Sequence, residues 1–105
     1  EETKFGVSVE DTLPLISEIS TLSHVEIRGL MTIAPYVEDP EENRPVFRKL
    51  KQLSVDIKDK NMNNVYMDIL SMGMTNDYQV AVEEGATLVR VGTGIFGERN
   101  YAQTI

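Results

Sequence analysis

Hydrophobic positions along the chain follow two spacings, one typical of helices and one typical of buried strands. Leucine and isoleucine recur at helical spacing over residues 9–22, which predicts an amphipathic helix. Two starts are compatible with this helix: a Ser8 cap would place Pro14 deep inside it, whereas an Asp11 cap would place Pro14 in the tolerant first turn. An apolar run from Ile27 to Ile33 then predicts a strand buried on both faces.

The rest of the chain predicts two more pairs of a helix and a strand. The run Asp39-Pro40-Glu41-Glu42 is typical of a helix start, because Asp caps and Pro is tolerated at the first position. The helix it opens is predicted to run to about residue 59, with Pro45 as a candidate kink. The remaining predicted elements are a turn at 60–64, a strand from Tyr66 to Ser71, a helix from Thr75 to Glu84 closed by Gly85, and a strand from Thr87 to Val91.

The predicted order is therefore α-β-α-β-α-β, which indicates an α/β fold. Strands that alternate with helices imply a parallel sheet with right-handed crossovers. Three parallel strands do not close a barrel, since a closed barrel of this kind needs eight. The periodicity is compatible with a small open sheet and with part of a barrel, and it does not separate the two.

Two turns that follow strands have the composition of anion-binding loops. In parallel α/β folds, ligands gather at the carboxyl ends of the strands. In Ser71-Met72-Gly73-Met74-Thr75, Gly73 permits a tight turn and Thr75 is predicted to cap the next helix, whose first N–H groups favour an anion. In Gly92-Thr93-Gly94, two glycines flank a hydroxyl donor. Together the turns predict a phosphate site, although each alone is equally compatible with an ordinary turn or cap.

Arg90 precedes the second turn, at the end of an apolar strand. Strand alternation places Leu88 and Arg90 on one face. A buried guanidinium needs a partner, which is either an acidic side chain or a ligand atom. Because arginine stays protonated, it would donate a hydrogen bond to an unprotonated ring nitrogen.

Composition and charge exclude several classes of function. The 105 residues allow one domain, and a formal net charge of −7 argues against a nucleic-acid-binding surface. The absence of cysteine and the single histidine, His24, exclude thiolate chemistry and a multi-histidine metal site. No apolar run is long enough for a membrane span and no signal peptide opens the chain, so we expect a cytoplasmic protein. The start, without an initiator methionine, suggests a processed or truncated chain.

Several segments closely resemble the pyridoxal phosphate homeostasis proteins (the YggS/PROSC group). The segments are Leu70–Tyr78, Ala81–Thr87, Val89–Gly97, Gly29–Pro35 and the opening Glu1-x-x-Lys4-x-Gly6, and the resemblance covers essentially the whole chain. It implies a single-domain TIM (βα)₈ barrel similar to the N-terminal domain of alanine racemase. It also implies binding of pyridoxal 5′-phosphate through a Schiff base, and a role in vitamin B6 and amino-acid homeostasis without established catalysis.

The resemblance also implies roles for individual residues. Met74 and Thr75 would contact the phosphate, with Thr75 in place of the more usual serine. Gly92 and Thr93 would complete the phosphate cradle, and Arg90 would face the pyridine nitrogen. An arginine there keeps the pyridine unprotonated and weakens the ring as an electron sink, which suits a carrier better than a transaminase.

One departure from the family pattern is large. The family's Schiff-base lysine lies on the first barrel strand, and no lysine of this chain matches that motif (Lys4, Lys49, Lys51, Lys58 and Lys60). We therefore expect residues 1–105 to be a partial barrel domain, about the last three strands of eight, without a covalent cofactor site and without enzymatic activity. The alternatives are a fragment of a pyridoxal-phosphate-dependent racemase or decarboxylase, although no additional β domain begins after Tyr101, and a self-associating half-barrel without cofactor.

Overall fold

The structure is a computed structural model that describes residues 6–97 of the chain. The predicted motif Glu1-x-x-Lys4 and Tyr101 lie outside the described residues. The elements in chain order are α1 (Val9–Ile19), β1 (Ile27–Met31), a short 3₁₀ helix (Pro40–Asn43), α2 (Arg44–Asp59), β2 (Val65–Met74), α3 (Tyr78–Glu83), β3 (Leu88–Arg90) and α4 (Gly92–Phe96). Within this part of the chain, no helix is long and apolar enough to cross a membrane.

Helix α1 begins after Ser8, which decides between the two predicted starts. The Ser8 hydroxyl accepts a hydrogen bond from the Asp11 N–H at 3.2 Å, so it satisfies a donor that the first turn leaves free. Pro14 therefore lies inside the helix, where it cannot donate to the carbonyl one turn earlier. The helix ends at Ile19 rather than at residue 22, because the Ser20 and Thr21 hydroxyls donate to carbonyls of its last turn.

Helix α2 is preceded by a separate 3₁₀ turn rather than beginning at Pro40. Asp39 caps that turn as predicted, since its Oδ1 accepts from the Glu41 N–H at 3.0 Å. The α-helical ladder starts at Arg44, so Pro45 falls in the first turn, where its missing N–H costs nothing. The prediction that Pro45 lies within the helix as a candidate kink is therefore wrong.

The three strands form one parallel sheet, as predicted, and their order in the sheet is β1-β2-β3. Gly29 is required where β1 meets β2, because a Cβ built on it would lie 1.8 Å from the Ile69 carbonyl oxygen. The register of β1 against β2 shifts beside this glycine. A second shift separates the pair Ser71 and Leu88 from the pair Met74 and Arg90, which ends the sheet.

Helices α2 and α3 cover one face of the sheet and create the core. The buried core side chains are Phe47, Leu70, Met72, Val80 and Ala81. The other face is open in the described chain: Met31 is 58% exposed, Leu88 52% and Ile69 44%. The prediction that β1 is buried on both faces is therefore wrong, because no element of the described residues covers its second face.

Candidate functional site at the carboxyl edge of the sheet

The two predicted loops meet at the carboxyl ends of β2 and β3. The last residues of these strands, Met74 and Arg90, are paired in the sheet register. Directly beyond them, the Thr93 hydroxyl donates to the Thr75 Oγ1 at 2.8 Å, and the Gly94 N–H donates to the same oxygen at 3.0 Å. Since Thr75 Oγ1 accepts two hydrogen bonds, its own O–H remains available to donate to a ligand.

Thr75 is not the helix cap that the sequence predicts. Strand β2 continues to Met74, beyond the predicted end at Ser71, and α3 begins only at Tyr78, after an N-cap at Asp77. The reason lies in the Asp77 side chain, whose Oδ1 accepts from the Met74 N–H at 2.7 Å and folds residues 74–77 into a turn before the helix. Thr75 is thereby free to face Thr93 instead of capping a helix.

Gly92-Thr93-Gly94 is the first turn of helix α4 rather than a separate loop. The N–H groups of Gly92 and Thr93 have no intrahelical acceptor in that position. A Cβ built on Gly92 meets nothing within 4 Å, so the space beside this backbone is open to a ligand. A Cβ on Gly94 would lie 3.0 Å from Thr75 Cγ2, so this glycine allows the two loops to approach each other.

Gly73 fulfils the predicted role of permitting a tight turn. Its φ of +103° is left-handed, and a Cβ built on it would lie 2.7 Å from the Ala81 Cβ. The same packing brings the start of α3 close to the end of β2. A side chain at this position would push the Thr75 loop away from the sheet edge.

One nitrogen of the Arg90 guanidinium is hydrogen-bonded within the protein, and a second nitrogen is unpaired in the described residues. Its Nη2 donates to the Thr32 carbonyl oxygen at 2.8 Å, so the partner is neither an acidic side chain nor, at that nitrogen, a ligand. Its Nε is buried and finds no hydrogen-bond partner among residues 6–97. A buried donor of a charged group is unfavourable without an acceptor, so the Arg90 Nε is available to donate a hydrogen bond to a ligand atom.

Met74 enters the site with its backbone N–H already engaged by Asp77. Its side chain is half exposed beside Arg90. Asp77 falls within the predicted helix from Thr75 to Glu84, and its buried partner is Asn43. An asparagine next to a predicted helix start carries no signal of burial, so the pairing with Asp77 was not accessible from the pattern.

Other side chains lie away from this edge. Tyr36 is strongly exposed in the segment after β1, and Asp68 faces Arg28 at 3.4 Å on the surface. Glu84 accepts hydrogen bonds from Arg44 and Arg48 on the helical side of the sheet. The described lysines are exposed: Lys49, Lys51 and Lys58 lie on α2, and Lys60 is its C-cap.

The fold and the site define an α/β domain that gathers hydrogen-bond donors at the carboxyl edge of a parallel sheet. Residues 2–100 match the family model "alanine racemase, N-terminal domain", and the chain belongs to that family. The resemblance found in the sequence is thereby confirmed.

Named relatives and solved structures extend this result. The chain is 50% identical over 101 residues to the pyridoxal phosphate homeostasis protein of Aquifex aeolicus and 42% identical over 102 residues to that of Haemophilus influenzae. These alignments cover 96% and 97% of the chain, but 43% of each relative. The structure of PipY from Synechococcus elongatus with PLP bound matches with a TM-score of 0.79 and 35% identity, over 90% of this chain and 44% of PipY.

Proposed function

We propose that this chain supplies the phosphate cradle and the pyridine-facing arginine of a pyridoxal 5′-phosphate-binding protein of vitamin B6 and amino-acid homeostasis. Three findings support the proposal: the hydroxyl pair of Thr75 and Thr93, the unpaired Nε of Arg90, and the relatives named above. The observation that carries it is the buried, unpaired Nε of Arg90, which lies at the same sheet edge as the hydroxyls of Thr75 and Thr93 and can donate to a ring nitrogen.

The donors at this edge match the two ends of such a ligand. The Thr75 hydroxyl and the N–H groups of Gly92 and Thr93 would bind the phosphate, and Met74 would line it through atoms other than its engaged N–H. Arg90 would donate to the pyridine nitrogen and keep it unprotonated. The bound cofactor supplies carbanion stabilisation in enzymes, and an arginine at the nitrogen weakens that capacity, which favours a carrier over a catalyst.

The sheet itself fits a partial barrel. We infer that residues 1–105 are the C-terminal portion of a (βα)₈ barrel, about three strands of eight, because one sheet face is packed by helices and the other exposes apolar side chains. The interior of a barrel would cover that second face. Cytoplasmic location belongs to the same proposal, since the relatives are named for handling a metabolic cofactor.

Covalent attachment is not part of the proposal for this chain. The lysines of α2 lie on a helix surface, and none of the described ones lies on a strand of the sheet. The test is titration with pyridoxal 5′-phosphate, reduction with borohydride and peptide mapping. We expect scattered, low-yield labelling of exposed lysines; a stoichiometric adduct at one defined lysine would contradict the absence of a covalent site.

A further inference from the structure

The segment between Met74 and Asp77, which presents Thr75, is attached to the segment that follows β1. One attachment is buried. The Asn43 Nδ2 donates to the Pro35 carbonyl oxygen at 2.9 Å and to the Asp77 Oδ2 at 2.8 Å. The other Asp77 oxygen accepts from the Met74 N–H at 2.7 Å. Both hydrogens of one amide and both oxygens of one carboxylate are therefore used.

The burial of this pair makes its geometry costly to change. Asn43 is 2% exposed and Asp77 is 5% exposed, so neither side chain can exchange a lost partner for bulk water. A buried polar group left without a partner is destabilising, and more so when it is charged. The pair therefore holds residues 74–77 in one conformation.

The second attachment lies on the surface and leads to the same segment. The Asn76 Nδ2 donates to the Val37 carbonyl oxygen at 2.9 Å. Residues 35–37 are thus linked twice to residues 74–77, once through the interior and once outside. Thr75 lies between Met74, whose N–H is held by Asp77, and Asn76, which makes the surface attachment. The Thr75 Oγ1 faces Thr93 and Gly94.

We propose that Asn43 and Asp77 are positioning residues for the phosphate-binding loop. Neither would contact the ligand: Asp77 fixes the backbone of Met74, and Asn43 fixes Asp77 against the segment after β1. The hydroxyl of Thr75 is thereby set at a fixed place relative to β3 and α4. This inference rests on the proposed function, because it assigns the pair to the binding of phosphate at the same edge.

The test is the affinity of the chain for inorganic phosphate, measured from ¹⁵N–¹H shifts, in the single variants and in the exchanged pair. Asn43→Asp sets two carboxylates against each other, and Asp77→Asn places an amide donor against either the Asn43 amide or the Met74 N–H. Each is expected to weaken phosphate binding about tenfold, since each leaves buried polar groups unpaired. The exchanged pair, Asn43→Asp with Asp77→Asn, restores one donor and one acceptor between the two side chains but leaves the Pro35 carbonyl oxygen facing a carboxylate. The affinity of the exchanged pair is therefore expected to recover in part, to a value above that of either single variant.

Two further variants separate positioning from general stability. Ile57→Val destabilises α2 roughly 20 Å from Asn43 and is expected to leave the phosphate affinity unchanged. Asn76→Ala removes only the surface attachment, keeps the core intact and is expected to weaken binding about threefold. If Asn43→Asp does not fold, Asn76→Ala still tests whether the attachment of residues 74–77 affects phosphate affinity.

The outcomes distinguish the two proposals. If the unaltered chain shows no phosphate-dependent shifts at Thr75, Gly92 and Thr93, the proposed function fails. If it binds phosphate but Asp77→Asn and Asn76→Ala bind equally well, the positioning role is wrong. If the exchanged pair regains stability without regaining affinity, the pair is structural only, which also overturns the inference.

Discussion

At the scale of single residues, the site depends on which hydrogen-bonding groups are already occupied. Thr75 Oγ1 accepts from Thr93 and Gly94, so its proton is the one that remains for a ligand. The Met74 N–H donates to the Asp77 carboxylate, and the Arg90 Nη2 donates to the Thr32 carbonyl oxygen. The unoccupied donors are therefore few, and their positions are fixed by the occupied ones.

Removing the Thr75 hydroxyl is expected to weaken phosphate binding. Thr75→Val keeps the shape of the side chain but deletes the donor, and a hydrogen bond to a charged group contributes enough for a loss of about tenfold to a hundredfold. The measurement is a phosphate titration followed by NMR. Thr75→Ser is the matched control, because it keeps the hydroxyl, and its affinity for phosphate should lie within about twofold of that of the original chain. If Thr75→Val binds phosphate as tightly as the original chain, the hydroxyl is not part of the site.

At the scale of elements, ion pairs join the two helices that cover the sheet. Arg44 of α2 contacts Glu41, Glu83 and Glu84, each at 2.6 Å, and Arg48 contacts Glu84 at 3.0 Å. Hydrogen bonding to Arg44 lowers the pKa of Glu84 and of Glu41 below the usual 4.5. A lowered pKa in the folded state means that this stabilisation is present above about pH 4.5 and is lost as the pH falls through the folded-state value.

Arg44→Gln is therefore expected to lower the urea midpoint of unfolding at neutral pH. In acid, the midpoints of the variant and of the original chain should become equal. The reason is that protonation removes the charge of the glutamates that hydrogen-bond to Arg44 in the folded state. The original chain and the variant therefore begin to converge below about pH 4.5, and they converge fully once the pH has fallen through the lowered folded-state pKa of Glu84. Arg28→Gln is the matched control, because Arg28 pairs with Glu26 and Asp68 in an exposed position and should contribute less. A difference for Arg44→Gln that persists unchanged in acid would contradict this account.

Sequence patterns predicted the order and type of the three strands and of α1, α2 and α3, because hydrophobic spacing reports which face is buried. They failed where a side chain competes with the backbone. Asp77 captures the Met74 N–H and delays α3, so Thr75 is not the helix cap that the sequence predicts. For the site, the pairing of the two loops followed from parallel topology, whereas the buried Asn43 depends on tertiary contacts that no periodicity records.

At the scale of the whole molecule, the sheet has one covered face and one open face. The open face carries Met31, Ile69 and Leu88, and β1 and β3 are its edge strands in the described part of the chain. Exposed apolar surface of this kind promotes association. In a complete barrel the same face would be interior.

We therefore expect the isolated chain to form dimers or larger species by light scattering. Ile69→Lys, on the open face, should shift the population towards monomer, because a charge at the contact is costly to bury. Val82→Lys is the matched control, because Val82 lies on the outer surface of α3 and is 54% exposed. This variant should leave the population of dimers and larger species unchanged. A monodisperse monomer of the unaltered chain would contradict self-association.

The central claim, that this edge binds a phosphorylated pyridine, is tested most directly with pyridoxine 5′-phosphate, which has no aldehyde and so cannot label lysines. In ¹⁵N–¹H spectra, the ligand should shift Thr75, Gly92, Thr93 and the Arg90 Nε–H together, with one dissociation constant. Arg90→Lys should weaken this ligand but bind inorganic phosphate as before, because it loses the Nε donor and keeps the cradle. Shifts that miss these groups, or equal affinity of Arg90→Lys for pyridoxine 5′-phosphate, would contradict the account.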